Sequence, residues 1–340
     1  MTLKKIIQYL TISALALVLL YISFKGVKWS DFIEGIKSCN FYWIIVSMAV
    51  GVLGFFARAL RWRLLLKPLD NSITLKESYN GVAIGYLTNF AFPRAGEIAR
   101  CVAVIKKGRI SFEQALGTVV VERGIDLLCL LFWLLFTMSL KWGESGGFIR
   151  EELLAPLARK FASALPTALS LLSILLIVVL LCYCYRARLR EIKSAARIGR
   201  IIKRVLEGTA TVMKMRDKWR FLLYTLLIWG TYWCTSYTTI CAFPSVANLN
   251  GADALFLMIL GGLGWAVPVQ GGIGAYHFIV SLALLKVYEI PRTEGVVFAT
   301  ISHESQALAM LICGTVALIC LWRRKRVGEN PVFTKKLHVN

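Results

Sequence analysis

The apolar positions of this chain neither alternate nor trace a single helical stripe; they come in solid blocks. Six blocks are long enough to cross a bilayer, at about 6–24, 41–66, 115–140, 163–185, 219–241 and 296–322. Each is close to the roughly 20 residues that a helix rising 1.5 Å per residue needs to cross about 30 Å of hydrocarbon. A backbone in hydrocarbon must satisfy its own hydrogen bonds, so the blocks predict helices. The period-two alternation of a barrel strand is absent. Two further apolar stretches, about 78–93 and 253–285, are interrupted. Gly81, Gly85 and Pro93 break the first; Gly261, Gly262, Gly264, Pro268, Gly271, Gly272 and Gly274 break the second.

The polar positions between the blocks predict an orientation. With both termini inside, the cytoplasmic connections carry about three times as many Lys and Arg as the outer ones, and cytoplasmic loops are where these residues collect. Arg58–Lys67 and Arg94–Arg109 both count as inside, so the first interrupted stretch leaves and returns on the cytoplasmic side. The second does so on the outer side. Each half then reads span, span, re-entrant hairpin, span, in opposite orientation. Interrupted helices at matching positions of inverted repeats are a transporter architecture, with the substrate site where the broken elements meet. The plainer alternative is that the glycines only allow close helix packing. The predicted fold is an all-α polytopic membrane protein with about six spanning helices and two re-entrant helical hairpins in an inverted-repeat arrangement. It forms one integral-membrane domain over 1–325, with halves at about 1–141 and 160–325, followed by a short cytoplasmic tail, 326–340.

Composition narrows the function classes. The chain is 57% hydrophobic and 17% charged, with a mean hydropathy of +0.65, which leaves no room for a sizeable soluble domain. A net charge of +21 would suggest nucleic acid in a soluble protein. Here it follows from the cytoplasmic loops, and it favours anionic headgroups by about 1 kcal/mol per basic residue near the surface. No aromatic-interleaved basic motif supports nucleic-acid binding. Most of the nine cysteines, Cys129, Cys182, Cys184, Cys234, Cys313 and Cys320 among them, lie inside apolar blocks and read as small buried hydrophobes. Neither a CxxC pair nor a Cys/His cluster offers a metal site, and no cofactor is expected. The first block is long and lacks a small-residue cleavage site, so it reads as a retained helix.

Four clusters carry candidate chemistry. In Asn89–Arg100, Pro93 ends a helix and pushes Phe92 toward an extended conformation. Arg94, Glu97 and Arg100 fall at i, i+3 and i+6, on one helical face, as a phosphate clamp or as a boundary ion-pair ladder. Glu122, Arg123 and Asp126 sit inside the 115–140 block, where each ionisable group costs about 2.5–3.5 kcal/mol at the centre. They should pair with one another or face a wet cavity. In Pro268–His277, Gln270 is followed by Gly271, Gly272 and Gly274, which permit positive φ. A half-helix starting at about Gly274 would aim free N–H groups at an anion. His277 titrates near neutral pH or serves as a structural hydrogen-bonder. In the last block, His303-Glu304 occupies the place that Glu122 holds in the first half, suited to a proton relay or a cationic headgroup.

The ordered elements Arg94-Ala95-Gly96-Glu97-Ile98-Ala99-Arg100, Val121-Glu122-Arg123-Gly124-Ile125-Asp126 and Gly271-Gly272-Ile273-Gly274 resemble the membrane region of the bacterial lysylphosphatidylglycerol synthetase/flippase family. The resemblance covers essentially the whole chain. It implies a flippase-like domain of the bacterial inner membrane that moves an anionic or aminoacylated lipid between leaflets. It also implies that Arg94, Glu97, Arg100, Glu122, Arg123, Asp126 and the Gly271–Gly274 loop line the headgroup path. Full-length synthetases carry a soluble aminoacyl-transferase domain after the membrane region, whereas this chain ends shortly after Arg323–Arg326. Lysine transfer is therefore not expected. Stand-alone members of the family are grouped with glycolipid or polyprenyl-phosphate pathways.

The leading expectation is therefore a lipid flippase rather than an enzyme, with a membrane phospholipid or lipid-linked substrate as partner. Two alternatives stay open. One is an integral-membrane enzyme using Glu97, Glu122 or Asp126 as acid or base, although no nucleophile–base pair, metal cluster or nucleotide loop is visible. The other is a scaffold that recruits a cytoplasmic synthase through the basic loop 186–220. A homo-oligomer is also open as an arrangement.

Overall fold

The computed structural model describes residues 3–105, 110–148, 150–151, 155, 201 and 203–329. The predicted block 163–185 and the 186–200 part of the loop 186–220 lie outside these residues, as does most of the tail. Among the described residues the fold is all-α, with no β-strand. In chain order the helices are α1 (Leu3–Phe24), α2 (Trp29–Lys37), α3 (Phe41–Leu66), α4 (Leu75–Ala91), α5 (Gly96–Val104) and α6 (Phe112–Phe148). After the undescribed stretch come α7 (Thr211–Lys214), α8 (Lys218–Ile240), α9 (Gly251–Ala266), α10 (Ala275–Val287) and α11 (Arg292–Glu329). The apolar blocks at 6–24, 41–66, 115–140, 219–241 and 296–322 therefore fall on α1, α3, α6, α8 and α11. By length and composition together, α3 and the Arg292–Arg323 part of α11 are able to cross a membrane, and the bent pair α1–α2 adds a third candidate. The 85° bend between α1 and α2 turns a segment expected as an outer loop into a short helix, with Phe32 buried against the core.

The outer surface of the bundle is greasy in the way a lipid-facing surface must be. Leu127, Leu128, Leu131, Phe132 and Leu135 on α6 are all exposed, and so are Leu222, Leu223, Leu226 and Leu227 on α8. On α11 Leu308, Ile312, Val316 and Ile319 do the same. Apolar strips of this extent are avoided on soluble monomers. They place the fold among polytopic membrane proteins.

Both interrupted stretches fold into tight helical hairpins, α4–α5 and α9–α10. Each opens with a reciprocal capping box: Thr74 with Glu77 before α4, and Asn250 with Asp253 before α9. Within the hairpins, small residues let the helices touch. Gly85 lies against the Gly96 carbonyl and Gly81 against the Arg100 carbonyl; Gly264 meets the backbone of Tyr276. The first break runs through Phe92, extended at φ −134° as expected before Pro93, and Arg94, at φ +61°. The second break turns on Gly271, Gly272 and Gly274, all at positive φ, before α10 begins at Ala275.

Helices α3 and α8 pair antiparallel at the centre. Gly54 packs on Thr231, and the Ser47 hydroxyl donates to the Thr235 carbonyl at 3.1 Å. Each hairpin leans on the long helix at the end of the other half: Leu87 of α4 meets Gly314 of α11, and Gly262 of α9 faces Leu130 of α6. Arg292 at the start of α11 donates to the Ile22 and Ser23 carbonyls, capping the end of α1.

Candidate functional site

Helix α3 was expected to deliver Arg58 and Arg61 to the cytoplasmic loop, but the helix continues to Leu66 and buries both. The two arginines stand three residues apart and so share one face, aimed at α6. There Glu122, with no exposed surface, accepts from Arg58 Nη1 at 3.1 Å, from Arg61 Nη2 at 3.1 Å and from Arg100 Nη2 at 2.6 Å. Asp126, one turn on, accepts from Arg61 Nη2 at 2.6 Å and lies 3.1 Å from Arg58 Nη2. Uncharged groups complete the shell. Arg58 donates to the Tyr232 hydroxyl at 2.9 Å, and the Arg100 guanidinium lies 4.0 Å from the centre of the Trp62 ring. Three helices of the first half and α8 of the second thus converge on two carboxylates.

The network carries one more positive charge than negative, because three guanidinium groups face two carboxylates. Its hydrogen bonding is incomplete: among the described residues the Nε–H groups of Arg58, Arg61 and Arg100 are buried without a hydrogen-bond partner, and so is Asp126 Oδ2. Each such donor costs about 1–3 kcal/mol. Beside it, Arg58, Tyr86, Asn89, Arg100 and Arg123 line a cleft with room for about one water molecule. A larger cleft of about 310 Å³ opens between the start of α4 and the end of α11, near Lys76, Asn80 and Cys320.

The structure regroups the residues expected along the headgroup path. Arg94, Glu97 and Arg100 do not share a helical face, because α5 starts only at Gly96 and Arg94 sits in the break. The Arg94 guanidinium donates across to the Ala266 carbonyl of the second hairpin at 3.3 Å. Arg123 and Asp126 do not pair with each other: Arg123 meets Glu97 at 3.2 Å, and Asp126 belongs to the α3 arginines. Arg58 and Arg61 escaped the sequence reading because basic residues near the end of an apolar block were assigned to the loop beyond. Their i, i+3 spacing was the available signal.

The Glu97–Arg123 pair differs in kind from the rest. Arg123 keeps 43% of its side-chain surface exposed and Glu97 27%, so water screens their attraction. Exposed pairs contribute up to about 1 kcal/mol. Arg123→Gln is therefore expected to shift the thermal unfolding midpoint by no more than about 4 °C, read by fluorescence on purified protein. A fall comparable to that of a buried-network variant would overturn the assignment.

The two hairpin breaks touch. Gly271 lies so close to the Phe90 ring that a side chain there would meet it, which joins the second break to the end of α4. Arg94 makes the complementary contact from the first break. Gln270, expected to face a headgroup, instead donates to Ser13 of α1 at 2.8 Å, and Gly274 packs against the Ala16 carbonyl. The α10 and α11 side chains behind the second break form another cluster. His303, fully buried, has Nε2 2.8 Å from the Gly271 carbonyl and Nδ1 2.8 Å from Glu304 Oε1. The Trp265 ring stacks on it at 4.6 Å. His277 Nε2 lies 3.8 Å from the same Glu304 oxygen. His277 and Glu304, singled out separately in the sequence, are thus brought together with His303. They do not reach the Glu122 network.

No curated protein and no solved structure matches the chain. A family model described as "Lysylphosphatidylglycerol synthase TM region" matches residues 6–314, nearly the whole chain. With its greasy outer surface, two contacting hairpins and buried arginine network, the chain belongs to this family of membrane proteins linked to lipid handling.

Proposed function

We propose that the chain is a transporter, not an enzyme, and moves a lipid with an anionic, phosphate-bearing headgroup between leaflets. The candidates are phosphatidylglycerol, an aminoacylated lipid and a polyprenyl-phosphate-linked lipid. The observation that carries this reading is the arginine network beside the hairpin tips: one excess positive charge and three buried Nε–H groups that find no partner among the described residues. A phosphate supplies oxygen acceptors and negative charge together, in the bidentate geometry that guanidinium favours. The opposite capping-box hairpins, the antiparallel α3–α8 pair and the crossed hairpin contacts support an inverted repeat about the site. Both termini are cytoplasmic in this reading, and the membrane is the bacterial inner one. The cleft beside the network has too little room for a headgroup, so the arrangement reads as occluded, and the hairpins must part to admit one.

The test is transbilayer movement of fluorescent lipids in proteoliposomes, comparing phosphatidylglycerol, an aminoacylated lipid and a polyprenyl-phosphate sugar against a neutral zwitterionic control. Faster movement of one anionic class than in protein-free vesicles is expected. Equal rates for all lipids, with or without protein, would overturn the proposal.

A further inference from the structure

The sequence keeps its three histidines apart, at 277, 303 and 338, and no spacing among them signals a metal site. Folding changes this for two of them. His277 on α10 and His303 on α11 approach Glu304 so that one ligand atom from each of the three lies within 4.8 Å of the others. We propose that His277, His303 and Glu304 bind a single divalent transition-metal ion of the zinc class.

Three features of the geometry support this. The separations, 2.8 Å from His303 Nδ1 to Glu304 Oε1 and 3.8 Å from His277 Nε2 to the same oxygen, bracket the spacing of about 3.4 Å between ligands held roughly 2.0–2.1 Å from a tetrahedral zinc. His303 is oriented as metal-binding histidines usually are. Its Nε2 faces a backbone carbonyl, that of Gly271, which fixes the proton there; its Nδ1 meets Glu304 Oε1 at 2.8 Å, a contact that an ion held between the two would replace. His277 is 2% exposed, yet among the described residues its Nδ1 has no hydrogen-bond partner, and its Nε2 is beyond hydrogen-bond length of Glu304. A buried imidazole left in this state calls for an unseen water or ion. Two histidines and one glutamate leave a fourth position open. Glu304 is half exposed, so an ion and a further ligand can reach that position. Because the Gly271 carbonyl belongs to the break that touches Phe90, a bound ion would also lock α11 to the contact between the hairpins. That the open position receives a lipid phosphate oxygen rests on the lipid-transport reading; the metal itself does not.

The experiment uses full-length protein, purified in detergent with its affinity tag removed and stripped of metal by chelator. Zinc and cobalt(II) are then titrated without added lipid. One equivalent of tightly bound zinc by elemental analysis is expected, with visible cobalt absorption and a midpoint of thermal unfolding that rises with zinc concentration. His277→Gln and His303→Gln should each lose the bound ion, Glu304→Gln should weaken it by at least tenfold, and His338→Gln should retain it. Normal size-exclusion profiles separate loss of the ion from loss of the fold. Binding below a tenth of an equivalent in the wild type, or full binding in both ligand-histidine variants, overturns the proposal. Lipid movement is not measured here, so this result stands or falls apart from the transport assay.

Discussion

Glu122→Gln abolishes lipid movement in proteoliposomes and lowers the stability of the purified protein by about 3–5 kcal/mol, the cost typical of breaking a buried ion pair from one side. The size of the expected effect follows from the number of groups that depend on this one carboxylate. Arg58, Arg61 and Arg100 all reach it, and none of the three has solvent to fall back on. A glutamine keeps the shape and one carbonyl acceptor but removes the charge, and its NH2 group points further donors at guanidinium groups. Asp126, which reaches Arg58 and Arg61 but not Arg100, is then left to balance three buried positive charges. Burying charge is expensive even when paired, so the whole network need not stabilise the fold relative to an apolar core. Deleting one member is different, because the uncompensated charges stay buried. The check is a denaturation midpoint beside a flipping rate on the same preparation. A variant with wild-type stability and wild-type flipping would remove Glu122 from the centre of the site. Loss of flipping at wild-type stability would keep its role in transport and refute the buried-pair energetics.

Much of the scaffold was legible because the bilayer simplifies the code. Blocks of about 20 apolar residues can only be helices, and α1, α3 and α8 begin and end near where their blocks do. The hairpin breaks were legible for a related reason: Pro93 and the Gly271–Gly274 run are the residues that interrupt a helix. The site was legible in part. Ionisable groups stand out against apolar sequence, so Glu122 and Asp126 were found. Their partners were not, since pairing is a property of which helix faces meet across 61 and 64 residues of chain. Arg58 looked like a loop cation because composition alone does not show how far α3 continues before leaving the core. Arg94 looked helical because i, i+3, i+6 spacing holds only if the helix has already started, and Pro93 delays that start to Gly96. His303 drew notice only as the neighbour of Glu304; its meeting with His277 exists because α10 folds back along α11.

The same distinction separates two glycines that sit in equally motif-like surroundings. Gly96→Ala is expected to destabilise by about 1–3 kcal/mol or more and to abolish transport, whereas Gly124→Ala is expected to leave transport intact and to stabilise α6 by about 0.5–1 kcal/mol. A methyl group on Gly96 would collide with the Gly85 carbonyl and come within 2.6 Å of the Asn89 side chain, whose Oδ1 accepts the Gly96 N–H at 2.7 Å. A backbone carbonyl inside a helix cannot swing aside, so α5 has to move away from α4. Arg100 stands one turn further along α5, so any such shift pulls it from Glu122 and from the Trp62 ring, and damage at the hairpin tip becomes damage to the arginine network. Gly124 stands between Arg123 and Ile125 on the outward side of α6, and nothing among the described residues lies within 4 Å of an added methyl. There the substitution only removes backbone freedom from the unfolded chain. Flipping rates and unfolding midpoints of the two variants, measured side by side, decide the matter. If Gly96→Ala transports like the wild type, close contact between α4 and α5 is not what positions the arginines. If Gly124→Ala fails, α6 presents that face to a partner or to the lipid path, and the motif glycine has a role that packing alone does not give it.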